Sequence, residues 1–85
     1  MTWRLQIARR AQRELQRLPA KDRQRITAAL IEMRENPFSG DIARLRAERT
    51  SWRRRVGSYR IFFDVHPEPL VVDVVEIARR TSTTY

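Results

Sequence analysis

The chain has 85 residues, a formal net charge of +8 and no cysteine. That length suits one small domain with a modest core, and the composition excludes disulfide staples, thiolate metal sites and cysteine nucleophiles. A single histidine, His66, leaves little material for Ser/His/Asp chemistry, and no apolar run approaches the ~18 residues of a membrane span, so a cytoplasmic protein without metal or cofactor is expected.

From Thr2 to Ala8, Trp3, Leu5 and Ile7 alternate with Arg4 and Gln6, the period-two pattern of a half-buried strand with Trp3 in the core. The period then changes. Ala8, Ala11, Leu15 and Leu18 recur at three- and four-residue steps, which predicts a short amphipathic helix stopped by Pro19. A second helix is predicted from Ala20 to about Asn36, burying Ile26, Leu30 and Met33 and turning a charged face outward. Asn36-Pro37 and Ser39-Gly40 end it. Ile42 to Arg46 reads as a short strand, and Trp52 to Val56 as another, joined by a tight Gly57-Ser58 turn to a strand from Tyr59 to His66. After Pro67-Glu68-Pro69, the β-branched run from Leu70 to Ile77 is expected to be a central strand. A polar tail, Arg79 to Tyr85, closes the chain. This order predicts a single α+β domain over residues 1–85. It has an N-terminal strand, a two-helix hairpin, then an antiparallel sheet of three or four strands with the helices packed on one face.

The charge is segregated. All but one of the 18 basic residues are arginine, and residues 44–60 hold seven arginines against one acid, Glu48. Residues 61–78 hold no arginine or lysine but carry Asp64, Glu68, Asp73 and Glu76. Such a chain attracts polyanions with steep salt dependence. Strand alternation says where the arginines point. If Trp52 and Val56 face the core, Arg53 and Arg55 face away from it. If Tyr59, Ile61, Phe63 and Val65 face the core, Arg60, Phe62 and Asp64 face away. Arg53, Arg55 and Arg60 then converge on one open sheet face, with Arg54 at a rim or burying only its stem. Like charges side by side on a sheet are destabilising unless an anion or an acid such as Asp64 or Glu76 relieves them. Anion binding and a merely solvated charged face are both compatible with this pattern. Taken alone, Arg80 and Tyr85 read as surface residues and His66 as an exposed turn residue.

The order of motifs resembles the RelE/ParE superfamily of toxins from bacterial toxin–antitoxin pairs. The residues that carry the resemblance are Ala11 to Pro19, Asn36-Pro37, Arg44-Leu45-Arg46, the hairpin from Trp52 to Asp64, and Ile77-Ala78-Arg79-Arg80 followed by Tyr85. The short helical hairpin with its Leu-Pro hinge and the late arginine pair followed by a tyrosine favour the RelE-like branch, which cuts messenger RNA on the ribosome. The ParE-like branch poisons DNA gyrase.

The resemblance implies a metal-independent endoribonuclease acting on mRNA in the ribosomal A site, in which a 2′-hydroxyl attacks the adjacent phosphate. It matches Arg53 and Arg55 to the family's basic pair, Arg60 to the arginine at the scissile phosphate, Arg80 to the late arginine and Tyr85 to the C-terminal tyrosine. Arg44, Arg46 and Phe62 are expected to contact RNA, and Arg9, Arg10, Arg13, Arg17, Arg23 and Arg25 to dock on ribosomal RNA or simply to be solvated. The resemblance also implies a cognate antitoxin as partner. Guanidinium forks suit phosphate oxygens, and fixed cations stabilise the charge that develops in phosphoryl transfer. A tyrosine among guanidiniums is more readily ionised and so able to act as a base. Where relatives often have lysines at the basic pair, this chain has arginines, which cannot serve as bases, so the acid–base load falls on Tyr85 and Arg80. Two other readings remain open at this point: a ParE-like gyrase inhibitor, and a non-catalytic module that binds RNA or an antitoxin.

Overall fold

The computed structural model describes residues 2–46 and 50–79. Along the chain these form β1 (Arg4–Ile7), α1 (Arg9–Gln16), α2 (Ala20–Glu35), β2 (Asp41–Arg44), β3 (Trp52–Val56), β4 (Tyr59–His66) and β5 (Val71–Arg79). The elements appear where the periodicities predict them, with ends that local chemistry adjusts. α1 stops at Gln16, short of Leu18, because Pro19 disfavours a helical conformation in the residue before it. Pro19 then serves as the N-cap of α2, where a missing N–H costs nothing. Asp22 in the first turn and Arg34 in the last complement the helix dipole.

The five strands form one sheet in the order β1-β5-β4-β3-β2. β2 to β5 are antiparallel neighbours, but β1 pairs in parallel with β5, Arg4 opposite Val71 through Ile7 opposite Val74. The sheet is therefore mixed rather than wholly antiparallel, and the N-terminal strand is part of it. No turn signal could reveal this, because the first strand pairs with the last, across the whole chain.

Both helices cover one face. Ala11 of α1 and Ile26, Ala29, Leu30 and Met33 of α2 pack on Tyr59, Ile61 and Phe63 of β4 and Val72, Val74 and Ile77 of β5. Val74 and Ile77 are three residues apart, an odd spacing that alternation would put on opposite faces. A bulge resolves it: Phe62 pairs with Glu76 but Phe63 with Val74, so Val75 is the extra residue and both apolar side chains reach the core. β1 covers β5 only as far as Val74. Beyond it, the Glu14 carboxylate on α1 accepts the Ile77 N–H at 2.9 Å, so a helix side chain closes the exposed strand edge.

Arg54 departs from expectation. It lies neither at a rim nor with its head in water, but is only 7% exposed on the core face of β3. Its Nη1 donates to the Ala29 carbonyl at 3.3 Å and to Ser39 Oγ at 3.2 Å, and its Nη2 donates to Glu32. A buried guanidinium is tolerated where its charge is paired and most of its donors are bonded; Ala29 and Glu32 of α2 and Ser39 just beyond it serve both Nη atoms, while its Nε has no partner. Gly40 makes the room: a Cβ there would stand 2.7 Å from Arg54 Nε, and its φ of +77° suits glycine. One of the clustered arginines therefore belongs to the fold.

Candidate functional site

Pairing of β3 with β4 sets the geometry of the open face. The two-residue turn makes Val56 and Tyr59 partners, and of the turn residues only Gly57 has positive φ, +58°, the pattern of a type II′ hairpin. Counting outward from that turn, Arg55 stands directly opposite Arg60, and Arg53 directly opposite Phe62. On the other side of β4, Arg60 faces Ala78 and Phe62 faces Glu76. Arg53, Arg55, Arg60 and Phe62 are thus neighbours on the face away from the helices, as alternation predicts.

The acids nearest this cluster are engaged elsewhere. Glu76 receives Arg10 Nη2 of α1 at 3.1 Å, and Asp64 accepts the Ser51 N–H at 2.7 Å. Neither neutralises the arginine row, so the relief that either acid could have given is absent. Arg53 has a weak partner, with Nη1 3.8 Å from the Asp41 carboxylate. Among the described residues, Arg55 and Arg60 have no acidic partner within ion-pair distance. The Arg60 Nε is buried and without a hydrogen-bond partner. Two like charges held directly opposite each other, one with an unsatisfied donor, are a cost to the fold. A bound anion with acceptor oxygens would relieve the repulsion and engage the Nη donors. Phe62 beside them is half-buried and presents an aromatic surface. Ala78 opposite Arg60 is small and leaves that side open.

The other expected RNA contacts separate. Arg44 pairs with Trp52, whose other neighbour Phe63 is fully buried, so Arg44 belongs to the helix-side face. Its guanidinium sits 5.7 Å from the Trp52 ring centroid, and Phe38 meets the same ring edge-on. Its place directly opposite the half-buried Trp52 puts it there. Arg46 is exposed just past the end of β2. Of the six helix arginines, Arg10 is tied to Glu14 and Glu76, Arg23 donates to the Gln16 and Leu18 carbonyls, and all are exposed. Arg80 and Tyr85 lie outside the described residues. His66 is exposed at the far end of β4 with its Nε2 3.0 Å from Asp73. Among the described residues no group of three or more His, Asp or Glu could hold a metal ion, and no helix is long and apolar enough to cross a membrane.

What the described part of the cluster can do chemically is bind and stabilise negative charge. Guanidinium forks donate hydrogen bonds to anionic oxygens and serve poorly as bases. Sequence reasoning also missed a second polar site, on the opposite face, where Tyr59 donates to the Asp22 carboxylate at 2.9 Å. That hydrogen bond, then burial and the Asp22 charge, raise the Tyr59 pKa above its ordinary value, while Arg79 acts to lower it. A buried tyrosine next to a hairpin turn reads as core, and only packing against α2 reveals its partner.

A family model described as the ParE toxin of the type II toxin–antitoxin system parDE matches residues 5–83. No curated protein matches the chain. Among solved structures, the chain is similar to the archaeal RelE–RelB complex of Pyrococcus horikoshii, with 23% identity over 98% of this chain and 100% of that one and a TM-score of 0.82. It is similar to the RelBE2 toxin–antitoxin complex of Mycobacterium tuberculosis, with 20% identity over 94% and 100% and a TM-score of 0.82. The isolated RelE toxin of Escherichia coli gives 23% identity over 95% and 87% and a TM-score of 0.79. At these identities the structural likeness concerns the fold, which is the RelE-like α+β fold.

Proposed function

The chain belongs to the family of ParE toxins of type II toxin–antitoxin systems within the RelE/ParE superfamily, and from that premise we infer that it acts as an endoribonuclease toxin on messenger RNA. The observation that carries this reading is the pair Arg55 and Arg60, directly opposite each other and without an acidic partner among the described residues, with Phe62 alongside. A toxin that worked through a protein surface alone would have no need to hold two unneutralised guanidiniums face to face. A phosphodiester supplies the acceptor oxygens this row lacks, and an aromatic neighbour suits a base lying beside it.

In this reading Arg60 and Arg55 hold the scissile phosphate and stabilise the charge that grows on its equatorial oxygens as the adjacent 2′-hydroxyl attacks. Arg53 supports the chain on one side, and Phe62 stacks on a base. The proton from the 2′-hydroxyl goes to Tyr85, Arg80 adds charge at the leaving 5′-oxygen, and that oxygen takes its proton from water. The products are a 2′,3′-cyclic phosphate and a 5′-hydroxyl end. No metal is required, because the arginines supply the cationic charge. The ribosomal A site presents the message to this face. A cognate antitoxin, acidic enough to meet a net charge of +8, restrains the toxin.

The match to a ParE model favours a second reading, inhibition of DNA gyrase. One experiment separates them. Purified toxin is added to ribosomes stalled on a defined message, and cuts are mapped by primer extension; the same protein is added to a gyrase supercoiling assay. Cuts within the A-site codon that vanish in Arg60→Met support the nuclease. Intact message with inhibited supercoiling overturns it in favour of gyrase. Neither effect, with salt-sensitive RNA binding retained, leaves a non-catalytic binding module.

A further inference from the structure

On the helix side of the sheet, directly behind the arginine row, a pocket of about 210 Å³ opens between α2 and the β3–β4 turn. Its lining is mostly polar; Ile26 lies fully buried behind it and only the half-buried Val56 offers apolar surface. The Tyr59–Asp22 hydrogen bond forms one wall, and Arg25 and Arg79 flank the opening. Both arginines are exposed, and among the described residues neither has an acidic partner within ion-pair distance nor a side-chain hydrogen bond. Arg25 is held over the turn: its guanidinium atoms lie 3.1–3.3 Å from where a Cβ of Gly57 would stand, so the glycine lets the cation lie against the hairpin.

These groups specify a ligand class. Two permanent positive charges face one carboxylate, so the pocket is short of one negative charge. The Tyr59 hydroxyl, with its proton held more firmly than usual, occupies one Asp22 oxygen. What remains on offer is two guanidinium forks and the Ser58 hydroxyl at the lip, which are donors seeking acceptor oxygens. A monoanion balances the count, whereas a phosphate dianion would be left in excess beside Asp22. The volume is below the ~300–1,000 Å³ of pockets that enclose drug-sized ligands. It fits the end of a side chain, and the half-buried Val56 gives a small apolar contact below a carboxylate.

We propose that this pocket is a recognition site for a glutamate side chain of an acidic peptide, whose carboxylate bridges Arg25 and Arg79 and whose methylenes touch Val56. Net charge of the whole chain draws such a segment in, and the pocket gives it a place to register. Its position adds a consequence. Val56 and Tyr59 line the pocket while the residues next to them in the chain, Arg55 and Arg60, stand on the opposite face. An acidic segment seated here holds the hairpin from behind and leaves the arginine row uncovered, so peptide and RNA are able to occupy the two faces together.

The test needs no ribosome, so its outcome is independent of the nuclease reading. The arginine Nε–H signals of the ¹⁵N-labelled protein are followed by NMR during titration with N-acetylated, amidated Gly-Glu-Gly. Gly-Gln-Gly and dimethyl phosphate serve as comparison probes. The Glu peptide is expected to move the Arg25 and Arg79 signals with a dissociation constant of about 1–10 mM, the range for a single anchored side chain. Arg25→Gln and Arg79→Gln should each weaken it at least about fivefold, while Arg34→Gln, an equal loss of charge at the far end of α2, should not. Arg25, Arg79 and Arg34 are all exposed, and unchanged backbone spectra verify that each variant folds. The proposal is overturned by equal binding of the Gln peptide or by the same loss in Arg34→Gln. It is also overturned by unmoved arginine signals, or by tighter binding of dimethyl phosphate, which would make the pocket a nucleic-acid contact.

Discussion

Replacing Arg60 by methionine should stabilise this protein and destroy its activity at the same time. Arg60 stands directly opposite Arg55, and its Nε is buried without a partner. Opposed Cβ atoms on neighbouring strands are about 5 Å apart. If the flexible stems spread the charges to about 7 Å, their repulsion is ~0.6 kcal/mol in a water-like medium and ~2.4 kcal/mol at an effective dielectric of ~20. Arg55 is exposed and Arg60 half-buried, which places the pair toward the lower end, about 1 kcal/mol. Removing an unsatisfied buried donor returns roughly another 1 kcal/mol. Methionine keeps an unbranched apolar stem in place of the arginine stem, so little packing is lost. The net gain is about 1–2 kcal/mol, or an increase of about 1–2 M in the urea midpoint at low salt. In about 1 M salt, where the Debye length is ~3 Å, roughly half of that gain should disappear. Cleavage of ribosome-bound message should fall by at least ~100-fold, the scale for removing one preorganised charge donor from a transition state. An unchanged or lower urea midpoint would refute the reasoning, because the arginine row would then be relieved within the fold. Retained cleavage would refute the assignment of Arg60 to the site.

Arg44→Ala should alter RNA cleavage by less than ~3-fold, whereas Arg55→Ala should reduce it by at least ~10-fold, because the two residues project from opposite faces of the sheet; primer extension on stalled ribosomes measures both. Arg54→Ala should lower stability by about 2–3 kcal/mol in urea unfolding through lost packing and lost bonds to α2, with Glu32→Gln costing about 1 kcal/mol because Glu32 is largely exposed. Gly40→Ala should cost about 1–2 kcal/mol by the same measurement, since it meets Arg54 Nε and strains a backbone at φ +77°. Tyr59 carries a pH prediction. Its folded pKa is raised by Asp22, so the folded state holds the proton more tightly than the unfolded chain. That contribution to stability is full below the unfolded value of about 10 and is lost as pH rises through the higher folded value. Urea midpoints from pH 8 to 11 should therefore fall more steeply for the wild type than for Asp22→Asn; an equal fall would show that the pair is not coupled.

Several parts of this protein are legible in one dimension because they depend on local periodicity. Trp3, Leu5 and Ile7 at every second position, Ala11 and Leu15 at a helical step, and Gly57-Ser58 between two strands each specify an element from residues a few positions apart. The same alternation placed Arg53, Arg55, Arg60 and Phe62 on one face. A two-residue turn leaves little freedom in register, and register determines which side chains are neighbours. Family membership also follows from the order of these motifs, and the match over residues 5–83 shows it.

What only the tertiary structure decided involves partners distant in sequence. β1 joins β5 in parallel because their apolar faces meet over the same core, and no turn links them. The bulge at Val75 reconciles Val74 with Ile77, a compensation visible only once β4 is beside β5. Charge was the most misleading signal. Arg53, Arg54 and Arg55 are identical as letters, yet the middle one is buried because α2 brings Ala29 and Glu32 to it and the connection after α2 brings Ser39. Asp64 and Glu76 are close enough in the chain to suggest relief of the arginines, but Ser51 and Arg10 reach them first. Alternation assigns a side chain to a face from the backbone alone. Whether its charge is neutralised depends on which group from elsewhere arrives within about 4 Å, and folding in three dimensions settles that.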